Sequence, residues 1–313
     1  MKALSRRELL KTAAALGAVA PLVAKVTPGH GADLHFPTTP RERLAVTSWP
    51  FRAYIESPTN RARDTSKPGM DLKDFAAMVR KRFDVHNINP LSDHFRSTES
   101  EYIASLREAV EKAGSRIVDL GLGGRSFGDP DASQRNAAVD YGRKWIDIAV
   151  SLGSPSVRQH LRAPKGEAPS VDLSAESLEK LAEYGAKRNV IVNLENDSPG
   201  SEDPYFIVSV LQKVNSPYLR ALPDFGNTRR RHDEEYTEKA VDAMFKYAYS
   251  MCHVKDKLTS KDGKVDEVNL AHMFGIAKSN AYLGYFSMEV DTASREPFEG
   301  TEYLVRQSLK YLA

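Results

Sequence analysis

From residue 43 to the C-terminus, short apolar or β-branched runs alternate with longer stretches whose apolar residues recur at helical spacing. The short runs predict eight strands: LAVTSW (44–49), VHNIN (85–89), RIVDLGL (116–122), SVRQHL (156–161), VIVNLEN (190–196), LRALPDF (219–225), SMCHVKD (250–256) and LGYFSMEVD (283–291). Helical patterns fall near 71–82, 99–113, 131–152, 174–188, 203–214, 235–248 and 267–280, and GTEYLVRQSLKYLA (300–313) supplies the last. Asp71 and Ser174 are the expected N-caps, because their short side chains can accept from exposed helix-start amides. Eight strand–helix units at a spacing of roughly 30 to 40 residues close most simply into a single (β/α)8 TIM barrel. A doubly wound open sheet would need a glycine-rich phosphate turn after an early strand. The one candidate, GLGGRSFG (121–128), follows the third strand and leads into a loop.

In such a barrel the chemistry gathers at the C-terminal ends of the strands. The fifth predicted strand ends in Glu195, the sixth in Asp224, the seventh carries His253 and the eighth Glu289, at separations of 29, 29 and 36 residues. Each separation is one strand–helix unit, so the four converge on one side of the barrel mouth. Alternation along a strand agrees: Asn193 and Glu195 share a face against Val192 and Leu194, His253 and Lys255 oppose Cys252 and Val254, and Ser287 and Glu289 oppose Phe286, Met288 and Val290. Clustered carboxylates in a half-buried mouth repel one another, so they need shared protons or a cation. A divalent metal is the economical answer. Arg158 and His160 share the inward face of the fourth strand and are candidate substrate contacts. Lys255 either binds a substrate oxygen or pairs with a carboxylate. Asp256 either orients His253, contacts substrate or forms a loop ion pair. Trp49 and Phe51 could wall a sugar ring or pack in the core, and Arg229–Arg231 form either an anion-reading cluster or a solvated loop.

Composition adds a boundary. The 313 residues are 41% hydrophobic and 27% charged, enough for one sizeable core. The N-terminal SRRELLK, followed by the apolar run 12–24 with its small-residue end, resembles a twin-arginine export signal. The expected organisation is therefore a signal peptide over 1–24, a Pro/Gly-rich linker over 25–42 and the barrel over 43–313. Residues 25–313 carry 40 basic and 41 acidic side chains, net −1, so the formal +2 of the whole chain belongs to the signal. No basic, aromatic-interleaved surface for nucleic acid remains. The apolar run is too short for a stable membrane anchor. A single cysteine, Cys252, excludes an intramolecular disulfide. The expected location is periplasmic or secreted, reached through the twin-arginine export machinery. A homo-oligomer is compatible with the reading.

The motifs NLEN, PDFGN, HVKDK and MEVD, in that order and spacing, resemble the sugar phosphate isomerase/epimerase superfamily of xylose isomerase-like barrels. The resemblance implies metal ligation by Glu195, Asp224, His253 and Glu289, with Glu195 and Glu289 also moving protons. Asn227 stands where many members place a histidine, three residues after the second ligand, and is expected to contact substrate together with Lys255, Asp256, Arg158, His160 and Trp49. The histidine-rich endonuclease branch of this fold is disfavoured, since the chain has eight histidines and few at strand ends. Three oxygens and a nitrogen favour Mn2+, Mg2+ or Co2+, with Zn2+ also compatible. The implied activity is isomerisation or epimerisation of a non-phosphorylated ketose-type carbohydrate through an enediolate. The same site would serve a dehydratase or lyase acting on a keto-sugar, inosose or keto-glycoside. A carbohydrate-binding barrel without turnover is the reading from another class.

Overall fold

In a computed structural model of the chain, which describes residues 34–163, 170–197 and 200–313, the predicted alternation is laid out in order. The strands are β1 (Leu44–Thr47), β2 (Asn87–Asn89), β3 (Arg116–Ile117), β4 (Leu120–Gly121), β5 (Ser156–Gln159), β6 (Ile191–Glu195), β7 (Leu219–Leu222), β8 (Met251–Val254), β9 (Lys257–Thr259), β10 (Val265–Glu267) and β11 (Tyr285–Met288). The helices are α1 (Leu72–Phe83), α2 (Ser100–Lys112), α3 (Ala132–Leu152), α4 (Val171–Arg188), α5 (Pro204–Val214), α6 (Glu234–Phe245), α7 (Leu270–Ser279) and α8 (Pro297–Leu312). The twin-arginine stretch and the rest of the expected signal lie outside the described residues.

Parallel pairing runs β3-β2-β1-β11-β8 on one side and β4-β5-β6-β7 on the other. The two arcs meet twice. β3 and β4 form one barrel strand interrupted at Val118 and Asp119, with Leu91 bridging to Gly121. Between β7 and β8 the pairing reduces to two single bridges, Ala221 to Ala248 and Asp224 to His253. The result is a (β/α)8 barrel. Besides short helical turns, the structure adds an antiparallel hairpin that the sequence did not predict, β9–β10, which interrupts the passage from β8 to α7.

Side-chain alternation divides the interior. Outward residues such as Val46, Ile88, Val157, Val192, Leu194, Cys252, Val254, Phe286 and Met288 join the large apolar layer between strands and helices. Cys252 packs there as a small apolar residue, and burial pushes its thiol up. Inward, the N-terminal end of the barrel is closed by Ala45, Val118, Leu222, Met251 and Tyr285. Within the stretch expected as linker, Phe36 packs edge-on against Tyr249 and Tyr285, with centroids 5.3 and 5.7 Å away, and so covers the barrel's floor. Asp71 caps α1 as expected, accepting from Lys73 N at 2.9 Å. Ser174 does not cap α4: the helix begins one turn earlier, where Ser170 Oγ accepts from Leu173 N, and Ser174 is buried inside it. His86, just before β2, is half-buried beside Glu42 and Asp84.

A buried histidine sits just beyond β2. His94 Nδ1 lies 2.7 Å from Ser48 Oγ, which itself accepts from Leu91 N, so the serine hydrogen is directed at an unprotonated ring nitrogen. Burial, aided by the Arg52 guanidinium, pushes the ring down to about 3. Between an unfolded value near 6.5 and that folded value, the unfolded chain binds the extra proton, so stability falls as pH falls through this window. The expected slope from this one group is at most about 1.4 kcal/mol per pH unit. Urea unfolding from pH 7 to 4.5 should show the loss in the wild-type chain and a visibly shallower loss in His94→Gln. Equal slopes would remove His94 as the cause.

Candidate active site

The C-terminal end of the barrel gathers Glu195, Asp224, His253 and Glu289 from β6, the turn after β7, β8 and the end of β11, all buried. Their placement follows from the parallel register, which sets His253 beside Ser287 and Glu195 beside Leu222. One potential ligand atom from each lies within 4.8 Å of those of the other three. His253 Nδ1 stands 2.7 Å from Glu195 Oε1 and 3.2 Å from Glu289 Oε2. Asp224 Oδ1 accepts from the backbone N–H groups of Gly226 and Asn227 at 2.8 and 2.7 Å, which fixes the carboxylate plane. Its Oδ2 is buried, makes no hydrogen bond, and faces Lys255 Nζ at 3.3 Å and His253 Nδ1 at 4.0 Å.

Two cations balance these charges. Arg158 Nη1 donates to Glu195 Oε2 at 2.6 Å, and Lys255 Nζ donates to Glu289 Oε1 at 2.9 Å and Asn227 Oδ1 at 2.7 Å. Burial would raise the Glu195 carboxyl, but Arg158 and His253 outweigh it and hold it at about 2. Glu289 is likewise lowered against burial by Lys255 and His253. Asp224 is raised, by burial first and then by the neighbouring carboxylates Glu289 and Glu195. Burial would lower the His253 ring, and Glu195 and Glu289 reverse that. Site and fold agree here: each ionised carboxylate has a cation in contact.

A layer that sequence reasoning missed lies directly beneath. Asn89 Nδ2 donates to Asp119 Oδ2 at 3.0 Å, leaving Asn89 Oδ1 to accept from His253 Nε2 at 3.0 Å. Asp119 Oδ1 accepts from Ser156 Oγ at 2.6 Å and Asn193 Nδ2 at 3.1 Å, and Asn193 also bonds Ser250. Asn196 completes the support by holding Asp224 through both backbone groups, at 2.7 and 3.0 Å. With Nε2–H committed to Asn89, the ring turns Nδ1 toward the carboxylates. Inward parity marks Asn89 and Asn193 in the sequence; Asp119 sits at the break between β3 and β4, where alternation gives no signal.

The other expected contacts separate. Arg158, His160 and Trp49 line a cavity of about 270 Å³ together with Glu195 and Glu289. Trp49 is 41% exposed and Arg52 lies over its ring at 4.2 Å, so it is a wall of the mouth and not core. Phe51, by contrast, is buried against Phe75 and Phe298. Asn227 is behind the cavity, positioning Lys255. Asp256, expected among the substrate contacts, is turned away: it pairs with Arg295 at 3.0 Å and lines a separate groove with Lys257 and Tyr303. It lies two residues beyond the end of β8, where strand alternation no longer sets its direction. Of the three arginines after β7, Arg229 pairs with Asp266 at 3.1 Å and Arg231 with Glu202, while Arg230 reaches the cavity and pairs with Asp197. Asp197 also holds His160 Nδ1 at 2.9 Å.

Residues 74–313 match the xylose isomerase-like TIM barrel family. The chain belongs to that family. No curated protein matches it in sequence. Similar solved structures include a family protein from Mycobacterium smegmatis in complex with magnesium, at 16% identity and TM-score 0.63 over 87% of this chain and 98% of that one. A 3-keto-D-glucoside 4-epimerase from E. coli aligns at 12% identity and TM-score 0.61 over 85% and 99%. A D-allulose 3-epimerase from Methylomonas sp., in complex with D-allulose, aligns at 16% and 0.64 over 90% and 98%. At these identities the likeness is one of fold.

The donor set of this family member fits a divalent cation. Three carboxylates and one imidazole present close, buried ligand atoms, and Asp224 Oδ2 lacks any hydrogen-bond donor. If Asn89 fixes the His253 ring for ligation, Asn89→Ala should weaken Mn2+ binding by about 10- to 100-fold, read by titration calorimetry of metal-stripped protein. Unchanged affinity would show that the ring needs no such support.

Proposed function

We propose that this chain is a metal-dependent sugar epimerase or isomerase, with Glu195 and Glu289 as its proton-transfer pair. One observation carries the reading: of the four clustered residues, only these two glutamates line the cavity, while Asp224 and His253 stand behind them. A substrate in that cavity would therefore meet two carboxylates and be screened from the other two groups. Glu195, Asp224, His253 and Glu289 would hold the cation, which when bound supplies Lewis-acid polarisation of the sugar's carbonyl.

The residues divide the remaining work. Arg158 and Lys255 keep Glu195 and Glu289 ionised, so either can accept the proton on the carbon next to the carbonyl. Delivery of a proton by the other glutamate to the opposite face of the same carbon epimerises; delivery to the former carbonyl carbon isomerises. Lys255 Nζ, 2.9 Å from Glu289 Oε1, does not line the cavity and acts on the reaction through Glu289. Trp49, exposed at the rim, gives the apolar face of a sugar ring a surface to lie on. The fold neighbours that act on keto-sugars and bind D-allulose support the substrate class.

The metal-loaded protein should incorporate deuterium from D2O into a ketose at the carbon beside the carbonyl, measured by NMR. Glu289→Gln and Glu195→Gln should each lower the exchange rate by at least about 100-fold, the scale of general acid–base catalysis. No exchange across ketoses, inososes and keto-glycosides would overturn the proposal, and loss of water from the sugar would redirect it to a dehydratase.

We also infer that the protein is exported through the twin-arginine route, on the strength of SRRELLK and the apolar run 12–24. An exported enzyme would meet few sugar phosphates, which supports a non-phosphorylated substrate. Replacing Arg6 and Arg7 with lysine should leave the protein in the cytoplasm on cell fractionation. Unaltered export would remove that route.

A further inference from the structure

A second chamber adjoins the cavity that holds the glutamates, and the proton transfer described above gives it no work. It measures about 360 Å³ and shares Ser92 and Asp93 with the first chamber of about 270 Å³. One chamber sits near the ~300 Å³ lower end of small-ligand pockets, and the two together would take a molecule about twice as large. The glycine-rich GLGGRSFG stretch forms the ridge between them: Gly123 and Gly124 line the first chamber and Arg125 lines the second. Gly124 is a close approach: a Cβ there would come within 3.1 Å of Arg162 Cγ and 3.3 Å of His160 Cδ2, so both side chains would have to give way slightly.

The charges along this double chamber are unevenly matched. In the second chamber, Arg96 is compensated by Glu56 and Asp71. Arg125 bonds only backbone carbonyls and lies on the Tyr141 ring at 3.7 Å, and Lys144 donates only to Thr98 Oγ1 at 3.0 Å. Arg162, exposed at the mouth of the first chamber, has no side-chain partner among the described residues. Three cations thus lack a carboxylate, against one carboxylate, that of Asp93, lacking a cation. An arginine held on a tyrosine ring is pre-oriented, and with Nη1 on the Gly123 and Gly124 carbonyls its Nε and Nη2 remain to meet a planar anion. Tyr141 Oη, bonded to Ser92 Oγ at 3.1 Å, ties this wall to the junction of the chambers.

We propose that the second chamber is a subsite for an acidic sugar unit, so that the substrate is a glycoside of two linked rings. The reacting ring occupies the first chamber. The second ring carries an anionic group, a carboxylate or a phosphate, read by Arg125 and Lys144, with Asp93 accepting hydroxyl hydrogens where the rings join. This deepens the proposed function and depends on it only for which ring reacts.

The test compares cellobiose, cellobiouronic acid and cellobiose 6′-phosphate by titration calorimetry against the full chain with Mn2+. The acidic disaccharides should bind at least about 10-fold tighter than cellobiose at 50 mM NaCl, with the advantage shrinking at 1 M. Which of the two binds better identifies the anion as carboxylate or phosphate. Arg125→Gln should remove about 10-fold of the preference, and the surface change Lys144→Gln about 2- to 5-fold without threatening the fold. Equal binding of all three, or a preference that both variants leave intact, overturns the subsite. Deuterium exchange keeps the two proposals apart. Exchange with monosaccharide ketoses but no acid preference would sink the subsite alone; an acid preference reduced in Lys144→Gln without exchange into any sugar would sink the reaction alone.

Discussion

Burying several carboxylates at one end of a barrel is the constraint around which the upper half of this molecule is arranged. A carboxylate leaving water loses several kcal/mol of hydration that only a paired, hydrogen-bonded geometry returns. Glu195 recovers it from Arg158 and His253, and Glu289 from Lys255 and the same imidazole. Asp224 is the member least well served, with two backbone donors on one oxygen and none on the other. That asymmetry explains why burial and its carboxylate neighbours raise Asp224 while Glu195 and Glu289 are lowered. The cluster is poised to take further positive charge at the oxygen it leaves bare.

Below the charges the barrel changes character by layers. Apolar side chains and Phe36 seal the floor, and amides and hydroxyls fill the middle. Asp119, the one acid at that depth, is raised by burial, which the hydrogen bonds of Ser156 and Asn193 only partly offset. Neutral dipoles at this level suit their task, since they can orient a ring or hold a strand end without adding charge that would need compensation in turn. The gradient from oil to amide to ion is what makes one end of the barrel reactive and the other inert.

Much of this was legible in the sequence because both signals involved are periodic. Strand alternation placed Glu195, His253, Lys255 and Glu289 inward, and the spacing of one strand–helix unit brought them to neighbouring strands. Where the chain stops alternating, the reading stopped with it. Asp256 lies past the end of β8 and swings to Arg295; Asp119 lies in the gap of a broken strand; Arg230 sits in a short helical turn between two arginines that point elsewhere. The start of α4 was misplaced because Ser170 and Ser174 carry the same capping chemistry, and only packing of Ser174 into the core separates them. The hairpin β9–β10 was invisible for a related reason: its strands are three residues each and mostly exposed on one face.

The seam between β7 and β8 gives the cluster a second meaning. Elsewhere in each arc neighbouring strands share a ladder, but here the arcs touch through two isolated bridges, one of which joins Asp224 to His253. Glu195 and Asp224 belong to one arc, His253 and Glu289 to the other. The two bridges join residues one strand–helix unit apart, whereas the longest closure, Leu44 to Phe286, lies inside an arc. The four side chains therefore act as a clasp: a chain whose arcs have formed but not yet joined owns every residue of the site, but holds them only as two separate pairs. Competence for chemistry arrives together with closure of the ring.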